Sequence, residues 1–186
     1  MVAPLQRIFL SCFLLVFILV FPPVCSVGAA GADPPVEYKI KAAFLLNFAK
    51  FITWPDQTFT SPQQPFSFCV LGQDPFGTAL TPLQSRTVAH HPIRVHYLKR
   101  LADTGTCQML FIADSEKEKV RTILKGLENT PVVTVSDIPG FAEQGGTIEF
   151  VLRQGRLSFK INLAEARKRH LRINASLLSL ATEVIR

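Results

Sequence analysis

The chain has 186 residues, 48% of them hydrophobic, and carries 20 Lys and Arg against 14 Asp and Glu, a formal net charge of +6. That length supports one domain with a proper core and hardly two. The basic balance raises nucleic acid as a ligand, but the export signal described next and the lack of a Lys/Arg stripe interleaved with aromatics remove that class.

Residues 1–32 read as a secretory signal peptide. Arg7 is the only early charge, Ile8 to Phe21 is an unbroken apolar run, Pro22-Pro23 breaks it, and Gly28-Ala29-Ala30-Gly31-Ala32 supplies small residues. Cleavage after Ala30 or after Ala32 satisfies the small-x-small rule. The apolar run is shorter than the ~20 residues of a membrane span. Residues 33–186 are then one exported domain. Cys69 and Cys107 remain in it as an even pair in an oxidising compartment, so one disulfide is expected. Closing a loop of about 39 residues constrains the unfolded chain by roughly 4 kcal/mol.

The stretch Glu37 to Pro55 predicts a helix of about four turns. Ile40, Phe44, Phe48 and Phe51/Ile52 recur at helical spacing and Pro55 ends it. Ala43, Leu45, Leu46 and Ala49 widen the apolar stripe, leaving Lys39, Lys41, Lys50 and Asn47 for water. Asn47 and Lys50 make this helix too short and too polar to span a bilayer. Phe66 to Gly72 reads as a strand, followed by a short helix at Thr78 to Leu83 with Asp74 as its cap. Ile93 to Leu98 alternates as a half-buried strand, and Gln108 to Ala113 is apolar almost throughout, as in a strand covered on both faces. Ser115 and Glu118 have the spacing of a capping box for a helix running to Leu127. Pro131 to Asp137 is the next strand. Thr147 to Leu152 and Leu157 to Leu163 form a hairpin around Arg153-Gln154-Gly155-Arg156, and Ala175 to Ile185 closes the chain as a helix. The sum is an α/β fold: a single-domain sheet sandwiched by helices, with a C-terminal antiparallel hairpin and a terminal helix.

No catalytic constellation is legible. There is no G-x-S-x-G or H-E-x-x-H, Gly145-Gly146 is too short to cradle a phosphate, and the acids are scattered singly. His90, His91 and His96 lack a further ligand nearby. The run Arg167-Lys168-Arg169 with Arg172 reads as a solvated helix face. No enzyme, metal or cofactor is expected.

The segments Lys41–Pro55, Val70–Gly77, Phe111–Glu116, Thr134–Asp137 with Phe141, Gly145–Phe150, Phe159–Leu163 and Leu171–Ala181 occur in one order. With them the chain resembles the YfiR-like family of bacterial periplasmic proteins. The resemblance implies a regulator without catalytic activity. Its best-known member binds the periplasmic sensor domain of an inner-membrane diguanylate cyclase and represses cyclic-di-GMP output. An outer-membrane lipoprotein with an OmpA-like domain, or reduction, relieves that repression. Cys69 and Cys107 fit one family disulfide, while Ala142 and Glu149 stand where some members carry a second pair.

Partner binding is expected to use an apolar patch on the opening or terminal helix, with Phe48, Phe51, Trp54, Leu177 and Leu180 as its candidates and Lys160, Arg167 and Lys168 at its rim. A sensor kinase is the other membrane partner the family allows, and a symmetric homodimer is the default assembly. The alternative is a periplasmic small-ligand-binding sensor module serving a sensor kinase or transporter.

Overall fold

The computed structural model describes residues 34–186. The expected signal peptide, residues 1–32, lies outside the described residues. Helix α1, Val36–Phe51, carries Glu37 in its positive first turn and Lys50 in its last, each favourable to the helix dipole. At Ile52 the backbone turns extended, and the β-branched pair Ile52–Thr53 becomes β1 before Pro55. β1 pairs antiparallel with β9, Arg172–Ile173, a two-stranded ribbon beside the main sheet.

The main sheet has eight strands. Its centre is parallel: β2 (Phe66–Leu71), β4 (His91–Leu98), β5 (Met109–Ile112), β6 (Val133–Ser136) and β7 (Ile148–Arg153). β8 (Arg156–Asn162) returns antiparallel to β7, β3 (Thr87–Val88) pairs antiparallel with β4, and β10 (Glu183–Ile185) runs parallel to β8. The spatial order is β10-β8-β7-β6-β5-β2-β4-β3.

Side-chain alternation divides the core in two. Phe66, Phe68 and Val70 of β2, with Met109 and Phe111 of β5, face α1 and its buried Ala42, Leu45, Phe48 and Ala49. Cys69, Leu71, Leu110 and Ile112 face the other side, where helix α2 (Val120–Gly126) contributes Val120, Ile123 and Leu124, and Phe141 joins them. The sheet is therefore sandwiched, as its fully apolar central strands require. Phe48 meets Phe159 and Phe150 at ring-centroid distances of 4.9 and 5.5 Å. Trp54 packs edge-on to Phe66 at 5.1 Å while its indole N–H donates to the Gln108 carbonyl at 3.1 Å, so its one polar atom is satisfied inside the core. The Cys69–Cys107 bridge ties β2 to the turn before β5.

Three local expectations are corrected. The terminal helix is shorter: α4 covers only Ala175–Leu180, and Glu183–Ile185 is extended as β10. Val184 and Ile185 fit a helical stripe, but the open edge of β8 offers Lys160, Ile161 and Asn162 as partners, and β-branched residues suit that pairing. The capping box does not form. Asp114–Lys119 is a 3₁₀ segment, and Ser115 Oγ accepts from the Gln73 backbone N–H at 2.9 Å across the sheet ends. Finally, Gly77–Ser85 winds as 3₁₀ helix with Pro82 inside, although Asp74 does accept from the free amides of Phe76 and Gly77 at 2.8 and 3.0 Å.

Candidate partner-binding surface

In a doubly wound sheet, small ligands enter the crevice beyond the carboxyl ends of the strands where the strand order reverses. Here that point lies between β2 and β5, since β4 is on one side of β2 and β5–β6 on the other. The protein's own groups fill it. Gly72 has φ +95°, and a Cβ there would meet Ser115 Oγ at 2.4 Å, so the loops after β2 and β5 are in close contact. Phe76 is fully buried, edge-on to Phe111 at 4.7 Å and to Tyr38 of α1 at 5.2 Å.

The first turns of α1 are pinned over the end of β6. Lys41 is only 2% exposed, and its Nζ lies 2.5 Å from both Asp137 Oδ2 and Glu37 Oε1. Tyr38 donates its hydroxyl to the same Asp137 oxygen at 2.8 Å, and the Lys41 ammonium lies 4.3 Å from the Tyr38 ring centre. Burial, then that hydrogen bond and the negative charge of Asp137, push the Tyr38 phenol well above its ordinary range, so it remains a donor. The sequence reading left Lys41 for water. The Asp137 carboxylate, brought in from residues far along the chain, draws it inside instead. Beside this cluster a cavity of about 370 Å³ opens between Glu37, Asp137, Glu149, Phe150 and Leu157.

Pinning one face of α1 leaves the opposite face outward. Val36 is 70% exposed, Ile40 44% and Phe51 41%, with Ala43 and Asn47 exposed between them. These positions recur every three or four residues along the helix, so they form one stripe. Lys39 and Lys50 flank it. Next to the stripe, a groove of about 360 Å³ lies between α1 and the 3₁₀ segment Gly77–Ser85. Ala42, Ala43, Leu46, Ala79 and Leu83 line it, with Lys39 and Arg86 as its charged members. Such a surface, small and apolar with a cationic border, suits association with another macromolecule.

The expected contact residues separate into two groups. Phe48, Trp54 and Leu177 are core residues, buried between α1, the sheet and α4. Phe51 is on the exposed stripe, and Leu180 is 68% exposed at the end of α4. The expected rim lies elsewhere. Lys160 reaches Glu143 and Glu183 at 2.5 and 3.6 Å, and Lys168 pairs with Glu165 at 2.6 Å on helix α3, Leu163–Lys168, where Arg167 is exposed. Arg169 departs from the solvated face read for its run. It is buried and donates to the Leu127 carbonyl, and burial lowers its pKa. Ile40 was missed as a surface residue because helical spacing shows a stripe without showing which side faces the sheet, and Val36 precedes the stretch read as the helix.

Ala142 and Glu149, where the resemblance places a second cysteine pair of some family members, are in contact. The Glu149 carboxylate accepts from the Ala142 and Gly140 backbone N–H groups at 3.0 and 3.1 Å, so hydrogen bonds hold this turn. His91 of the histidine group bonds through Nδ1 to the Gln64 carbonyl at 2.7 Å and stacks on Phe59. No described helix is long and apolar enough to cross a membrane.

No curated relative matches the chain. A family model described as YfiR/HmsC-like matches residues 38–182, which spans α1 through α4 and includes the exposed stripe from Ile40 onward. The chain belongs to the YfiR/HmsC-like family, one of regulators rather than enzymes.

Proposed function

We propose that this protein is a periplasmic, non-enzymatic regulator that binds the periplasmic sensor domain of an inner-membrane diguanylate cyclase and holds its output down. Relief comes from an outer-membrane lipoprotein or from reduction of Cys69–Cys107. The observation that carries this reading is the outward stripe Val36, Ile40, Ala43 and Phe51 on a helix whose other face is buried and pinned. An apolar stripe of this kind on a rigid element offers a docking face at little cost in ordering. The filled crevice between β2 and β5 favours this reading over the small-ligand alternative.

Copurification from membrane extract tests it, with the protein oxidised and then reduced. The reading expects an inner-membrane cyclase to be retained by the oxidised protein, lost on reduction, and lost from an Ile40→Glu, Phe51→Glu variant that remains folded. Retention of the cyclase by that variant rules out α1 as the docking face. Recovery of no membrane signalling protein in either redox state removes the regulatory reading.

A further inference from the structure

Edge strands in natural sheets are usually short or covered, because an open edge presents unpaired backbone groups to other chains. This sheet does the reverse on one side. β4, at eight residues the longest of the described strands, sits next to the edge, and β3 covers only His91 and Pro92. The opposite edge, β10, has three residues.

Hydrogen bonding gives the direction of each β4 residue. Ile93 N–H donates outward to the Arg86 carbonyl at 3.1 Å, whereas the Leu98 carbonyl accepts from Gly72 N–H on the β2 side at 3.2 Å. Alternation then turns the backbone groups of Val95 and Tyr97 outward, where no described strand pairs with them. Tyr97 is 54% exposed.

Cations outnumber acids at this edge. Arg94 lies on the strand and Lys99 and Arg100 follow it, all exposed, against Asp74, whose charge reaches Tyr97, and Asp103. The nearby acids are engaged: Asp74 caps the amides of Phe76 and Gly77, and Asp103 pairs with Arg100 at 3.0 Å. A second copy of this chain is disfavoured, since antiparallel self-pairing would set like charges opposite one another. We infer that the outer edge of β4 takes up an extended acidic segment of a partner protein by strand addition, with Val95 and Tyr97 supplying backbone hydrogen bonds and Arg94 and Lys99 the charge. This surface lies on a different element from the α1 stripe and stands or falls separately from it.

The test uses a labelled peptide alternating glutamate with valine, its lysine counterpart, and the Tyr97→Pro variant. Proline is tolerated on an edge strand where its missing N–H faces outward. The acidic peptide should bind, the lysine peptide should not, and the Val95 and Tyr97 amides should gain protection from hydrogen exchange. Tyr97→Pro should weaken binding roughly fivefold or more. Equal binding of both peptides, no binding of the acidic one, or protection confined to other strands overturns the inference. So does a dimer in sedimentation that Tyr97→Pro dissociates, which would make a second copy the occupant. Should Tyr97→Pro fail to fold, exchange on the unaltered protein decides.

Discussion

Replacing Lys41 by Met removes the ammonium that ties α1 to the end of β6 while keeping a side chain of similar length. Asp137, with 14% side-chain exposure, is then left with the Tyr38 hydroxyl as its donor, and its Oδ1 already has no partner. Breaking a buried pair from one side costs about 3–5 kcal/mol, and the residual exposure of Asp137 points to the lower end, about 3 kcal/mol. Glu37 adds little, since 41% of its side chain is in water and its attraction is screened. With a urea slope of about 2 kcal/mol per molar for a domain of this size, the midpoint should fall by about 1.5 M. Trp54 is the only tryptophan and is buried against Phe66, so its fluorescence follows the transition. The double variant Lys41→Met, Asp137→Leu should recover most of the loss, leaving about 1 kcal/mol for the unpaired Tyr38 hydroxyl. A Lys41→Met midpoint within about 0.3 M of the parent, under 1 kcal/mol at that slope, would refute the anchoring role. So would a double variant less stable than the single one.

The other stability tests address the sheet and its turns. Cys69→Ala, Cys107→Ala should lower unfolding free energy by about 4 kcal/mol, from the sequence separation of 38 that the bridge closes, as read by urea titration against the oxidised parent. Gly146→Ala should cost about 2 kcal/mol or more, because a Cβ there would lie 2.1 Å from the ring of the fully buried Phe141, and differential scanning calorimetry would record the lower Tm. Both tyrosines are raised above 10.0, Tyr38 by burial and then Asp137, and Tyr97 by burial and then Asp74. The native protein should therefore show less tyrosinate absorbance at pH 10 than the urea-unfolded chain, which is about half ionised there. The raised folded values mean that this contribution is complete below the unfolded pKa. It is lost as pH rises through the folded ones, so the urea midpoint should fall above pH 10.

Much of this architecture is legible from local chemistry. Helix α1, strands β2, β4, β5 and β6 and the β7–β8 hairpin follow from apolar period and turn residues, and the disulfide follows from an even pair of cysteines in a chain read as exported. What escapes local reading depends on partners distant in sequence. Val184 and Ile185 extend only because β8 leaves an edge for them. Ser115 serves Gln73 instead of its own helix because Gly72 lets the two loops touch. Lys41 is inside because Asp137 waits there. The same limit applies to the binding surface. A helix apolar around most of its circumference does not declare its buried side, so Phe48 and Trp54 read as surface candidates while Ile40 reads as part of the core stripe.

The central claim is that the outward face of α1 delivers the regulatory contact. Cyclic-di-GMP in cells whose only copy of this protein is the Ile40→Glu, Phe51→Glu variant tests that claim most directly, once export and a native urea midpoint have been verified for the variant. The account predicts that cyclic-di-GMP rises to the level seen without the protein. A folded, exported variant that keeps cyclic-di-GMP as low as the parent would contradict it.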